Sequence, residues 1–207
     1  MTSNSLLPAT IASLKKLVLV CILPRRTWKA LSPERSNDTA LCWGLLVLIA
    51  SIRVWYPLIV HVKRLLIGPV LDNAQPLLAV GIDGCIDGGL VLVGALLASL
   101  LVRFLAPQFQ GASFGSQPLK LITYSSLPVL LLSSTGILSA QRALSVSFWM
   151  WHCIVWGWSA ILLYEGSVVM TTVVPAKRSS FLAAFIASAL LLYLGLGILG
   201  LALKAWL

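Results

Sequence analysis

Apolar residues fall in blocks of roughly twenty, separated by short polar or basic stretches, which is the length an α-helix needs to cross about 30 Å of hydrocarbon at 1.5 Å per residue. The pattern predicts membrane spans at about 39–60, 77–105, 119–138, 145–169 and 181–203. Ahead of them, "LLPATIASLKKLVLVCIL" (6–23) places Leu7, Ile11, Leu14, Val18 and Cys21/Ile22 at helical spacing, with Lys15 and Lys16 on another face. That is the pattern of an amphipathic helix lying in the membrane surface. "PRRTWKALSPERSND" follows as the most polar stretch, a basic loop with Arg25 and Arg26 at headgroup level and Trp28 as an interfacial anchor. The expected fold is all-α: a polytopic membrane helix bundle of five transmembrane helices with an N-terminal amphipathic interfacial helix. It divides into a cytoplasmic and interfacial segment, 1–38, and a five-span domain, 39–207.

Composition agrees with that division. Of 207 residues 59% are hydrophobic and 10% charged, and the mean hydropathy is +0.97; a soluble domain carries about 25% charge. The net charge of +9 sits in the segments between spans, where it signals topology and anionic headgroups rather than nucleic acid. With a cytoplasmic N-terminus, the inner segments hold Lys15, Lys16, Arg25, Arg26, Lys29, Arg35, Arg103, Lys120, Lys177 and Arg178. The outer segments hold Lys63, Arg64, Arg142 and Lys204. The asymmetry favours N-in, C-out. Cys21, Cys42, Cys85 and Cys153 form no C-x-x-C and read as small buried hydrophobes, so neither a disulfide framework nor a metal site is expected. The N-terminal apolar stretch is short, and its "VLVC" lacks a lipidation site's small residue, so it is expected to stay in the mature chain.

Four charges fall within or beside the spans. "GIDGCIDGG" (81–89) sets Asp83 and Asp87 four residues apart, on one helix face, at the mouth of "LVLVGALLASLLV". The uninterrupted apolar run from Gly88 to Val102 is only about 22 Å long. The helix must therefore begin earlier, which draws both aspartates toward the outer interface. There they either gain from the helix dipole and pair with Arg53, Lys63 or Arg64, or line a cavity and bind a proton or cation. Arg53, within span one, is the favoured partner. Glu165 in "LLYEGSVV" reads as a headgroup-level acid near Lys177 or Arg178. Gly84 and Gly88 form a G-x-x-x-G suited to close helix packing, and Gly195, Gly197 and Gly200 flatten one side of span five. Pro128 removes a hydrogen bond from span three and exposes carbonyls that serines 125, 126, 133 and 134 can satisfy. "SFWMWHCIVWGW" surrounds His152 with Trp149, Trp151, Trp156 and Trp158, an aromatic belt rather than a haem or quinone site, since His61 lies on another segment. With no nucleophile triad, phosphate loop or metal-ligand spacing, neither an enzyme nor a cofactor is expected.

Three segments together resemble the Yip1-domain family of five-span membrane proteins. "LLPATIASLKKLVLVCILPRRTWKAL" is similar to the family's amphipathic stretch ending in Pro-Arg with an aromatic shortly after. "LKLITYSSLPVLLL" resembles its third-span signature of tyrosine, small residues and Pro128. "ILLYEGSVVMTTVVPAKR" resembles the Tyr-x-Gly, Val-Pro and Lys that lead into the last span. Order and spacing match across most of the chain. The resemblance implies a compact five-helix bundle without catalytic residues. Eukaryotic members are linked to vesicle traffic and prenylated GTPases through longer N-terminal regions; the short arm here is of the bacterial type. It assigns no role to Asp83, Asp87, Arg53 or Glu165. The expectation is a scaffold or accessory subunit of the bacterial cytoplasmic (inner) membrane, contacting lipid and other integral membrane proteins. The alternative is a small transporter or channel using Asp83 and Asp87.

Overall fold

The computed structural model describes residues 19, 20, 22, 24–31, 38–67, 76–134 and 146–206, with no strand among them. Among the described residues six α-helices follow in order: α1 Pro24–Leu31, α2 Asp38–Ile67, α3 Leu77–Gln108, α4 Gln117–Ser134, α5 Val146–Met170 and, after a 3-10 turn at Pro175–Lys177, α6 Arg178–Trp206. Most of the expected amphipathic stretch, including Lys15 and Lys16, lies outside the described residues, as does the side chain of Arg25.

Among the described residues four helices are long and apolar enough to cross a membrane, through Cys42–Lys63, Leu77–Gln108, Trp149–Met170 and Pro175–Trp206. The chain therefore has the build of an integral membrane protein. Span one runs past its expected end at Val60, continuing as helix through His61 and Lys63 to Ile67 with Pro57 inside. α4 is different. It has 18 residues, and the last four residues of the expected third span fall beyond those described. It packs on α2, α3 and α5, and Pro118 through Ser125 are buried without a break. Polar groups of a membrane bundle face its interior, where neighbouring helices can satisfy them, and α4 carries Lys120, Thr123, Tyr124 and Ser125 there.

Residues 24–31 correct the expectation of a polar loop. Pro24 opens α1, where its fixed φ suits the first helical turn and its missing N–H costs nothing. The Thr27 hydroxyl donates to the Leu19 carbonyl at 3.0 Å. Trp28 is not a headgroup anchor. It is fully buried, edge-on to Tyr124 with ring centroids 5.9 Å apart. Gly166 makes the room: a Cβ there would lie 2.8 Å from the indole and 2.5 Å from Leu121 Cδ1. Trp28, Val102, Leu121, Tyr124, Leu162, Met170 and Phe181 belong to one core cluster.

Two loops close the same end of the bundle. α3 stops where Gln110 turns left-handed at φ 59 and the Gly111 N–H reaches back to the Ala106 carbonyl at 2.9 Å, a Schellman-type ending. A glycine would usually occupy the left-handed position. Here it stands one residue later, because a Cβ at 111 would meet the Thr171 carbonyl at 2.6 Å. The Ala112 N–H donates to that same oxygen at 2.8 Å and to Thr172 Oγ1 at 3.1 Å, while the Thr172 hydroxyl donates to the Ala112 carbonyl at 3.3 Å. These bonds hold Thr172 at φ 48, a costly conformation for a β-branched residue.

Pro128 lies inside α4, but Ser125 and Ser126 do not serve the carbonyl it abandons, that of Tyr124. Ser125 and Ser126 donate to the carbonyls of Leu121 and Ile122, each at 2.6 Å; the side chains of Ser133 and Ser134 are outside the described set.

α2 and α3 approach closely enough for glycine to meet backbone. A Cβ on Gly84 would lie 3.0 Å from Val54 Cα and 3.3 Å from the Arg53 carbonyl, and one on Gly88 2.9 Å from the Ala50 carbonyl. Backbone, not a flexible side chain, fills that space. Gly88→Ala is expected to destabilise the detergent-solubilised protein by about 1–3 kcal/mol through overpacking. Gly44→Ala, on a glycine with nothing within 4 Å, should be neutral or stabilise by up to about 1 kcal/mol. Thermal unfolding of the two variants side by side checks the contrast.

Candidate functional site

The α2–α3 approach sets which polar groups can meet. Gly88 faces Ala50 and Gly84 faces Val54 and the Arg53 carbonyl, so the antiparallel register puts Arg53 level with Asp83 and Asp87. A second register runs between α3 and α6. Gly94 faces Leu196, Leu90 faces Gly200, and one turn further Asp87 meets Lys204. Small residues oppose large ones at two successive steps, and opposite charges meet at the third.

The Asp87 carboxylate accepts from Lys204 Nζ at 2.9 Å, with the two side chains 41% and 28% exposed. Of the expected partners, Arg53, Lys63 and Arg64, only Arg53 is shown within electrostatic range of Asp87, and the direct ion pair is with Lys204 of α6. Arg53 is engaged by its surroundings. Asp83 is half-buried one turn from Asp87, whereas Lys63 is exposed and the Arg64 side chain is outside the described residues. Two cations and two carboxylates, from three helices, thus gather at one level. An ion pair of this kind offsets the cost of placing charge on a spanning helix, and it fixes the rotation of α6 on α3.

Glu165 belongs to the other end. It lines a cavity of about 290 Å³ with Lys29, Tyr164, Val168, Val169 and Arg178. Arg178 and Lys204 stand 26 residues apart on α6 (204 − 178), about 39 Å along a helix. The structure therefore separates Glu165 from the Arg53, Asp83 and Asp87 group instead of joining them along one path. Of the late glycines, Gly200 packs within the chain, against Leu90, while Gly195 and Gly197 meet nothing within 4 Å. Arg26 is exposed. Trp149, Trp151, Trp156 and Trp158 all lie on the protein surface, with Trp149 and His152 rings 6.2 Å apart and Trp156 edge-on to Tyr193 of α6. Among the described residues no three His, Cys, Asp or Glu side chains come together as metal ligands would.

Lys204, Lys29 and Lys120 are the groups that spacing alone does not reveal. Lys120 counts as a cytoplasmic charge in the sequence, yet it is 2% exposed and engaged by neighbours. Lys204 had one readable signal: Leu196, Gly200 and Lys204 mirror Gly94, Leu90 and Asp87 in reverse order.

Compared with family models, with curated proteins and with solved structures, the chain matches none.

Asp87→Asn removes the charge that Lys204 and Arg53 both face. The expected loss is about 1–3 kcal/mol, between the values for exposed and buried pairs. Asp83→Asn should change stability by less than about 0.5 kcal/mol. Equal effects of the two substitutions in detergent melts would contradict the assignment.

Proposed function

We propose that the protein is a non-enzymatic integral membrane scaffold or accessory subunit, built as a Yip1-type five-span bundle of the bacterial inner membrane. In this reading α4 is the third span, and α1 and the paired loops at Gly111 and Thr171 face the cytoplasm. The resemblance of three ordered segments and the excess of basic residues on that side support it. α4 is short for a span at about 27 Å, and it packs on α2, α3 and α5.

The observation that carries the functional reading is the convergence of Arg53, Asp87 and Lys204 from α2, α3 and α6. Charges that balance one another across three helices serve assembly of the bundle. The alternative, a small transporter or channel, would use Asp83 and Asp87 as a proton or cation site with Arg53 or Glu165 along the path. The outward face of α6 supports a contact role: Leu191, Tyr193, Leu194, Ile198 and Leu201 are exposed, beside the unfilled Gly195 and Gly197, where a neighbouring helix could approach closely.

Purification from native membranes in mild detergent, with mass spectrometry of what accompanies the protein, tests the proposal. A stoichiometric membrane-protein partner is expected, and the protein alone in liposomes should carry no pH-dependent cation flux. A chain that purifies alone and conducts, with flux abolished by Asp87→Asn, would overturn the scaffold and establish the transporter.

A further inference from the structure

α6 is held at its two ends and little between them. Only Phe181, Phe185 and Gly200 of its 29 residues are buried. Of its most apolar stretch 6% is buried, against 22% in α2 and in α3 and 39% in α5. At the N-terminal end Phe181 is fully enclosed, edge-on to Phe109 with ring centroids 5.8 Å apart and stacked on Phe185 at 6.5 Å. The Arg178 Nε–H donates to the Val173 carbonyl at 3.2 Å. At the C-terminal end the attachment is the pair of Lys204 with Asp87 at 2.9 Å. Between them lie the interlock of Leu196 with Gly94 and of Gly200 with Leu90, and the edge contact of Tyr193 with Trp156.

The middle contacts weigh little in a membrane. A leucine that leaves a helix groove for lipid exchanges one apolar surrounding for another, so it loses no hydrophobic gain. The first turns differ, because Phe181 and Phe185 belong to the core cluster and withdrawing them would open a cavity. The charge pair differs too, since hydrocarbon offers neither charge a substitute partner. α6 therefore has one end fixed by packing, one end held by charge, and a length between that can trade helix contacts for lipid.

We propose that α6 is a latched arm: it pivots on Phe181 and Phe185, and the pair of Asp87 with Lys204 holds its C-terminal half against α3. Lys204 stands 19 residues beyond Phe185 (204 − 185). That is about 28 Å of helix, so a tilt of about 10° carries it about 5 Å from Asp87. The attachment is reversible because each charge keeps company when the pair parts. Asp87 stays within electrostatic range of the Arg53 guanidinium on α2. Lys204 lies in the last turn of α6, where a long side chain reaches the polar interface by snorkelling. The bundle thus has two discrete arrangements, of the kind that hinged elements switch between. Opening bares the Leu90 and Gly94 side of α3 beside Asp87, so the latch gates access to the charged group from that side. The device belongs to the chain itself and operates with or without a membrane partner, so its failure and that of the scaffold reading are separate results.

Spin-label distances in liposomes test the latch, on the full chain with its four cysteines changed to alanine. One label pair reads the latched end, at the exposed Leu78 and Leu201 (Leu78→Cys with Leu201→Cys). A second reads the pivot end, at the exposed Phe104 and Ala183 (Phe104→Cys with Ala183→Cys). With Asp87 and Lys204 intact, each pair should give one dominant distance. Asp87→Asn, and separately Lys204→Met, should add a second distance about 5 Å longer at the latched end and leave the pivot pair unchanged. Lys204→Arg, which keeps the charge, should retain the single distance and shows that position 204 tolerates a change. An unchanged distance at the latched end in both neutral variants would overturn the latch. Equal changes at the two label pairs would overturn it as well, since α6 would then have no fixed end.

Discussion

The ion pair between Asp87 and Lys204 is the constraint from which the arrangement at one end of this bundle follows. A carboxylate ten residues into a long spanning helix needs a cation, and the cation comes from the last turn of the last helix. For the two to meet, α6 must lie antiparallel to α3 at one register and one rotation, and Gly94, Leu90, Leu196 and Gly200 interlock only there. The close α2–α3 approach at Gly84 and Gly88 then sets Arg53 at the same level. Neither contact would be as selective alone. Apolar packing between helices in lipid has little hydrophobic driving force of its own, whereas opposite charges in a low dielectric penalise any register that parts them.

The opposite end depends on filling rather than charge. A tryptophan sits where a glycine leaves a hole, two loops exchange hydrogen bonds, and α4 brings its polar half into surroundings made of protein. This is where the short α1 docks, although eight residues of helix would not be stable unaided. The same docking aligns Lys29 with Glu165, so the packing of the interior and the chemistry of the surface cavity share one cause.

Much of the helical layout was legible because length and hydropathy dominate in a membrane. Pro76 precedes α3 and Pro175 opens the turn into α6, and the apolar runs between such marks became helices. The aspartates announced themselves as costly residues in need of partners. The partner of Asp87 was harder to see, since Lys204 reads as an ordinary flanking charge of the C-terminal segment unless the α3 and α6 sequences are laid antiparallel. Trp28 was misplaced for a related reason: an aromatic among arginines and lysines fits a headgroup belt, and only the missing side chain of Gly166, distant in sequence, turns it inward. Lys120 and the rest of α4 show the limit of hydropathy, which measures a segment and not what surrounds it.

A double-mutant cycle on Asp87→Asn and Lys204→Met, read by thermal unfolding in one detergent, tests the ion-pair constraint most directly. The account predicts that each single change destabilises and that the double variant loses less than their sum, with a coupling of about 1 kcal/mol. Losses that add to within about 0.3 kcal/mol would show that the two residues act independently, and would contradict a bundle whose register is set by this pair.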